Sequence, residues 1–416
     1  SETDPLKAGS EMGVDFVVSG TIRVAGERIR ITAQLLSVID GAIRWSGRFD
    51  ENYTDVLQLE DSISEQVAMA LVPHLSGDER RKLSKRGTDN AEAFESFLRG
   101  RYYWYAMTED GFAKSIVCYE RATSLDPSYA AAYAGIAEYH CWLAVYGLMP
   151  PAEQLAAAQG AAERAIALDD TLAEAHTAHG LALLAHETQW QLAEVRFRRA
   201  IELNPNSTMA HGHYACQLGM ESRFDESIRE ARRSCELDPI NPFNSYFLAW
   251  CLYQARRYDE GIAQCRRLLQ AEPQYGSAHF VLSWMLRRTG RYEEAIAEAK
   301  KAVELLGQIP MFVAALGAAY AEAGQEEEAR RVLAELREMS AVRYVTPYHR
   351  AFIHIYLGER DEAIALLEQG IAVGDPWLVW LGVEPQLDAL RGYQRFNDLL
   401  RRTKNPIAAR QATAFG

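Results

Sequence analysis

Histidine pairs are the features of this sequence whose residue types and spacing could do chemistry. His176 and His179 stand three residues apart, His186 follows, and His211 and His213 come 35 and 34 residues after the first pair. Residues three apart share one face of a helix, and imidazole nitrogens are frequent zinc ligands. Such spacing would suit a metal site between neighbouring helices.

The same histidines also have a structural interpretation. His176, His211 and His279 occupy equivalent positions of the repeated unit described below, which favours a packing role between helices. Carboxylate or cysteine ligands are not apparent at matching positions. We therefore predict no metal site.

Sequence motifs of catalysis are missing from the chain. It contains no G-x-x-x-x-G-K-[ST] phosphate loop, no H-E-x-x-H helix, no G-x-S-x-G nucleophile turn and no kinase signature. We therefore predict no catalytic residue, no cofactor and no enzymatic activity in these residues.

Composition and charge exclude several classes of protein. The 416 residues are 48% apolar and 24% charged, which is typical of a folded globular chain. The chain has 44 Lys and Arg and 57 Asp and Glu residues, which gives a net charge of −13. This negative charge argues against direct nucleic-acid binding by this region.

The sequence also bears on membranes and compartment. It has no run of about 18 apolar residues, and its start, Ser1-Glu2-Thr3-Asp4, does not resemble a signal peptide. Because it lacks an initiator Met, we expect the chain to be a piece of a longer protein. We expect a cytoplasmic location, or a periplasmic one if a membrane span precedes these residues.

Six cysteines are scattered without a C-x-x-C pair, which favours small core residues in a reducing compartment over disulfides or zinc ligands. They are Cys118, Cys141, Cys216, Cys235, Cys251 and Cys265.

A repeat organises most of the chain. Similar tripeptides end at Pro127, Asp170, Pro205, Pro239 and Pro273, which are separated by 43, 35, 34 and 34 positions. Each period contains two amphipathic helical patterns. In residues 276–307, Gly290 is placed to end the first helix in a left-handed conformation, and small residues such as Ala299 let the helices approach closely. We also expect the Asp-Pro and Asn-Pro pairs to begin helices.

With this period, residues 91–375 resemble the tetratricopeptide repeat family over about eight units. The resemblance implies a mainly α-helical fold, a right-handed superhelical solenoid, whose first helices line a concave surface. Leu387, Leu390, Phe396, Leu399 and Leu400 then predict a capping helix over residues 377–404. Residues 405–416 are expected to be a tail.

The N-terminal segment has a different period. Apolar residues alternate from Phe16 to Val24, from Ile29 to Leu35 and from Ile43 to Phe49, which predicts three antiparallel strands joined by hairpins. A helix is predicted over residues 54–75, and the charged stretch 78–90 reads as a linker. So small a sheet leaves one face or edge open.

This segment resembles the second half of the TolB-like domain that precedes repeat arrays in bacterial signalling proteins. The resemblance rests on Met12-Gly13-Val14-Asp15-Phe16, on the strands that follow and on Trp45-Ser46. It implies a partial α+β domain over residues 1–77. It also implies an effector outside this chain, such as a winged-helix domain, a nucleotide cyclase or a Ser/Thr kinase.

Applying the repeat to the first helices predicts an aromatic wall, with one arginine, on the concave surface. Its members are Phe243, Tyr246, Trp250, Tyr253, Phe280, Trp284, Arg287, Tyr348 and Phe352. Aromatic anchors with an arginine favour protein and peptide interfaces. The alternative is that several of these rings pack between helices.

Three functional hypotheses follow. The first is a non-catalytic regulatory module whose groove binds a protein, a peptide or a segment of its own chain. The second is a small-molecule sensor, or the regulatory region of a nucleotide cyclase, with a pocket near Trp104, Tyr139 and Trp142. The third is assembly, with the open sheet edge forming a homodimer.

Overall fold

A computed structural model describes residues 4–25, 28–52, 87–185 and 189–403, together with Ile63, Gln66, Val67 and Ala70. The chain packs as two compact bodies. One contains Ser1–Glu95 with Ser124–Ser128, and the other contains Ser96–Thr123 with Tyr129–Gly416. Most of the predicted helix 54–75 and linker 78–90, and all of the predicted tail, lie outside the described residues.

The first body contains the predicted three-stranded sheet. Helix α1 (Pro5–Met12) precedes strands β1 (Phe16–Ala25), β2 (Arg28–Ser37) and β3 (Ile43–Asn52). The strands are antiparallel in the order β1-β2-β3. Val18 faces Leu35 and Leu35 faces Trp45, so apolar residues of all three strands share one face.

That apolar face is unevenly covered. Leu35 and Phe49 are buried, and Ile63 packs against Phe49. On β1 of the same face, Val18 and Ile22 are 55% and 66% exposed. Part of the sheet therefore presents apolar surface to solvent.

Helix pairs make up most of the second body, and the ends of the first pair belong to the first body. Within the described residues there are eight, in agreement with the predicted number. They are α2 (Ala91–Trp104) with α3 (Glu109–Leu125), α4 (Ala130–Val145) with α5 (Pro151–Leu168), α6 (Ala173–Leu184) with α7 (Trp190–Leu203), α8 (Thr208–Met220) with α9 (Phe224–Leu237), α10 (Pro242–Gln254) with α11 (Tyr258–Ala271), α12 (Gly276–Arg288) with α13 (Tyr292–Leu306), α14 (Pro310–Glu322) with α15 (Glu326–Met339), and α16 (Pro347–Tyr356) with α17 (Arg360–Val373). From α4 onward, each first helix packs against its partner and against the next first helix, which makes a stack.

The turn within five of these pairs uses one backbone device. A residue with positive φ follows the first helix every 34 residues, at Ser222, Arg256, Gly290, Gly324 and Gly358. The next amide then bonds a carbonyl five residues back, as Arg291 N does to Leu286 O at 2.9 Å. The predicted role of Gly290 is confirmed.

The proline pairs between units act differently from the expectation. The helices α3 and α7 end just before Asp126 and Asn204, so these residues follow a helix rather than begin one. Their side chains accept bonds from the amides two residues on, at 2.9 Å for Ser128 N and 3.0 Å for Asn206 N. They are turns between units. Asn241 does begin a helix, with Pro242 at its first position.

The predicted capping helix over 377–404 is wrong in its first part. Pro376–Trp380 and Pro385–Leu390 are short 3-10 helices, and the α-helix α18 runs only over Gln394–Arg402. Each 3-10 helix begins at a proline that directly follows an acidic N-cap residue, Asp375 or Glu384. These two prolines prevent one continuous helix.

Candidate functional site

All nine residues of the predicted aromatic wall are buried, at no more than 7% exposure, and its eight aromatic residues lie in one core cluster. The concave surface is not open at this point, because a segment from the end of the chain packs on it. We call residues 375–391 the returning segment. It contains both 3-10 helices and contacts α4, α16 and α17.

Trp377 is the central apolar contact of the returning segment. Its ring lies 5.6 Å from that of Trp250, 6.0 Å from that of Tyr348 and 4.7 Å from that of His349. Its indole N–H donates to the carbonyl of Val145 at 2.6 Å. Because Val145 ends α4, this bond joins the last part of the chain to the second helix pair.

Polar contacts fix the second half of the returning segment. Tyr253 donates its hydroxyl hydrogen to Glu384 at 2.5 Å, and Arg287 donates to the side-chain oxygen of Gln386 at 2.9 Å. Glu384 also accepts from the amide of Gln386 at 3.0 Å. Burial raises the pKa of Glu384, and these hydrogen bonds partly oppose that rise.

The predicted wall therefore divides into two groups. Trp250, Tyr253, Trp284, Arg287 and Tyr348 contact the returning segment. The others pack among helices, as Phe243 does against Trp104 at 5.4 Å. The wall thus contains residues that contact the returning segment and residues that pack between helices. Partner binding by the wall stays a prediction.

The cover over the wall is the part that sequence reasoning missed. The available signal was local: two acidic residues, Asp375 and Glu384, each stand directly before a proline, which predicts two short starts. The surface on which this segment packs could not be predicted from the sequence, because Glu384 bonds Tyr253, which lies 131 positions earlier.

The histidines of the candidate metal site tie helices to turns instead. His176, His211 and His279 each bond through Nε2 to a carbonyl six residues earlier, at 2.9, 3.0 and 3.1 Å. His211 and His279 also meet a glutamate 19 residues later through Nδ1. Burial lowers the pKa of His179 to about 4 and that of His213 to about 3.

His186 lies outside the described residues. Among the residues that the structure does describe, no three His, Cys, Asp or Glu side chains are placed to hold a metal ion. The six cysteines are free, and four of them are buried. Burial raises the pKa of Cys141 and Cys265, which disfavours the reactive thiolate.

His349 predicts a pH dependence of stability. It is 1% exposed beneath Trp377, and burial lowers its pKa to about 3. Unfolding restores a pKa of about 6.5, so the unfolded chain binds the additional proton between these values and stability falls as the pH drops. His349→Phe should remove this proton uptake, about 1.4 kcal/mol per pH unit.

Urea unfolding of both proteins at several pH values from 7 to 4 measures this difference. The two curves of unfolding free energy against pH should diverge below about pH 6.5. Parallel curves would show that His349 is accessible to protons in the folded chain.

Comparison with known proteins identifies the type of repeat. Residues 221–276 and 246–310 match the sequence model of the tetratricopeptide repeat. Within these residues the helix pairs match tetratricopeptide repeats. Tetratricopeptide repeats are stacked helix pairs of the kind that present extended surfaces for protein interaction.

Solved structures are similar to this chain. Yeast Tom70 is 15% identical, and the match covers 78% of this chain and 68% of that chain, with a TM-score of 0.45. The pilF protein of Pseudomonas aeruginosa is 14% identical over 55% of this chain and 99% of that chain, with a TM-score of 0.38.

A curated relative matches part of the chain. "Putative adenylate cyclase 3" of Rhizobium meliloti (strain 1021) is 29% identical over 186 residues, which make up 43% of this chain and 31% of that protein. The match thus spans less than a third of that relative. Among the described residues, no helix is both long enough and apolar enough to cross a bilayer.

Proposed function

We propose that this chain is a non-catalytic interaction and regulatory region whose aromatic wall recognises an extended protein segment. The contact between the wall and the returning segment carries this proposal. The ring of Trp250 lies 5.6 Å from that of Trp377 and 5.4 Å from that of Trp380. The Tyr253 hydroxyl donates a hydrogen bond to the carboxyl of Glu384. Aromatic walls of this kind suit proline-containing segments that lack long helices.

Regulation would follow from competition. A partner segment that binds the wall better than residues 375–391 would shift the population toward a state in which the returning segment is released. The partial identity to a protein named as an adenylate cyclase supports an effector such as a nucleotide cyclase. In this proposal the TolB-like half-domain of residues 1–77 connects the repeats to that effector.

The proposal is testable with the full chain and a labelled peptide that has the sequence of residues 375–391. Trp380→Ala removes one anchor and leaves the bond from Trp377 to Val145. We expect the variant to bind the peptide at least about tenfold more tightly than the wild type, because its own segment competes less well. Fluorescence anisotropy measures both affinities.

The matched control is the same peptide with both tryptophans replaced by alanine, which should not bind. Circular dichroism shows whether Trp380→Ala keeps its helices, and Trp380→Phe is a milder variant if it does not. A folded variant that ignores the peptide, or binds the control peptide equally, contradicts the proposal.

Homodimer formation through the sheet is a second candidate function. It is favoured by the exposed apolar side chains of β1, since Val18, Ile22 and Val24 are 55%, 66% and 61% exposed. Contiguous apolar surface of this kind marks interaction sites. Among the described residues, β1 also pairs on one edge only, with β2.

Light scattering of the full chain tests this candidate. Wild type should have the mass of a dimer, and Val18→Lys with Ile22→Lys should have that of a monomer, because two charges would be buried at the interface. Val342→Lys is the matched control, since that residue is 84% exposed on the other body. A monomeric wild type rejects the candidate.

A further inference from the structure

A cavity of about 90 Å³ lies in the second body beside the returning segment. It is bounded mainly by first helices of the second to fifth units, by Leu155 of α5 and by the 3-10 helix Pro376–Trp380. Aromatic rings and aliphatic side chains form its walls, and the rings include those of Trp142, Trp250, Trp377 and Trp380. This place differs from the pocket expected near Trp104, Tyr139 and Trp142, of which only Trp142 lines it.

The lining has no charged side chain. None of the lining residues is Asp, Glu, Lys or Arg. His213 is the only histidine among them, and because burial lowers its pKa to about 3 it is neutral at physiological pH. An ionic ligand would lose its hydration here without gaining a counter-charge.

The lining includes polar groups that are buried without a partner. The indole N–H of Trp142 and Nε2 of His213 make no hydrogen bond within the described chain, although the residues are only 6% and 2% exposed. A buried polar group without a partner destabilises a fold by about 1–3 kcal/mol. Both nitrogen atoms are closed to solvent, so a hydrogen-bonding ligand would remove that loss where these rings turn toward it.

The size and access of the cavity limit what fits. A fully enclosed cavity of about 150 Å³ is known to bind benzene, so about 90 Å³ holds part of one ring or a short branched chain. Val145, Leu181 and Ala185 are half-buried, whereas the other lining residues are buried. A ligand would therefore insert beside these three residues, with its remainder toward solvent.

We propose that this cavity binds a small, uncharged, mainly apolar molecule, such as a single aromatic ring that carries one hydroxyl or carbonyl group. The site goes beyond the proposed recognition of a protein segment. It lies against Trp377 and Trp380, so an occupied cavity would add contacts to the covered state of the wall. The ligand would then favour that state.

Ligand-observed NMR and thermal unfolding of the full chain test the cavity with two probes of similar size. Benzyl alcohol should bind with a Kd on the order of 0.1–1 mM and raise the melting temperature in a saturable way. Benzoate should bind at least about tenfold more weakly, because its charge cannot be compensated.

A filled cavity is the decisive variant. Ala185→Phe places a ring at the half-buried rim and should abolish binding of benzyl alcohol, with Val145→Phe as the second variant if the first does not fold. Val195→Phe is the matched control, because Val195 is 58% exposed on α7 and does not line the cavity. The control should bind as wild type does.

Three results would overturn the proposal: no saturable binding of benzyl alcohol to the folded wild type, equal binding of benzoate, or unchanged binding by folded Ala185→Phe. These outcomes are independent of the peptide experiment, which uses a different probe and reports on release of residues 375–391.

Discussion

Trp377→Ala should lower the free energy of unfolding of the full chain by about 3–5 kcal/mol, the range for deleting a large buried aromatic side chain. Trp377 is 6% exposed, and its ring packs against Trp250, Tyr348 and His349. Alanine would leave a cavity between the returning segment and the first helices. In a domain of this size the melting temperature should fall by roughly 5–8 °C, which calorimetry measures.

Trp377→Phe distinguishes the contribution of the packed ring to stability from that of its hydrogen bond. It keeps most of the buried area but loses the N–H that donates to Val145 O at 2.6 Å, so we expect a loss of about 1–2 kcal/mol. A loss below about 1 kcal/mol for the alanine variant would show that the returning segment does not pack on the wall in solution.

The sequence was informative about the repeats because their signals are local. Every 34 residues the first helix ends at a residue with positive φ, and in three cases that residue is glycine, as at Gly290. Helical periodicity and small residues such as Ala299 then predict both helices of a unit. Each unit is specified by its own helical pattern and turn, which explains why eight units could be counted from the sequence even though distant units also touch, as Trp104 and Phe243 do.

The same local reasoning failed at the returning segment. Apolar residues after Trp377 were compatible with one helix, and the prolines at 376 and 385 indicate only where a helix can begin. The position of the segment is decided by contacts such as Arg287 with Gln386, which are 99 residues apart. A single sequence contains no local pattern for such a contact.

The candidate site was therefore half predictable. Counting positions in the repeat predicted one surface for Trp250, Tyr253 and Arg287, and in the structure all three contact the returning segment. It could not indicate that the surface is covered. Since the rings are buried, alanine variants of Trp250 or Trp284 would change stability as well as binding, which is why the peptide experiment changes Trp380 instead.

Arg287→Ala should destabilise the full chain by about 3–5 kcal/mol, because Arg287 is a buried cation with partners on two sides. It is 2% exposed, donates to Glu322 at 2.7 Å and to Gln386 at 2.9 Å. Its guanidinium also lies 4.6 Å from the ring of Tyr356. Alanine would leave both a cavity and an unpaired Gln386, and urea unfolding at pH 7 measures the loss.

A double-mutant cycle decides how much of this loss comes from the polar contact. Arg287→Met fills much of the volume without charge, and Gln386→Leu removes the acceptor on the returning segment. If the contact fixes the segment, the two changes together should destabilise the chain less than the sum of the single changes, by about 1–3 kcal/mol. A coupling below about 0.5 kcal/mol, with Arg287→Met as stable as wild type, would mean that Arg287 acts only by filling space and that apolar packing alone holds residues 375–391 on the wall.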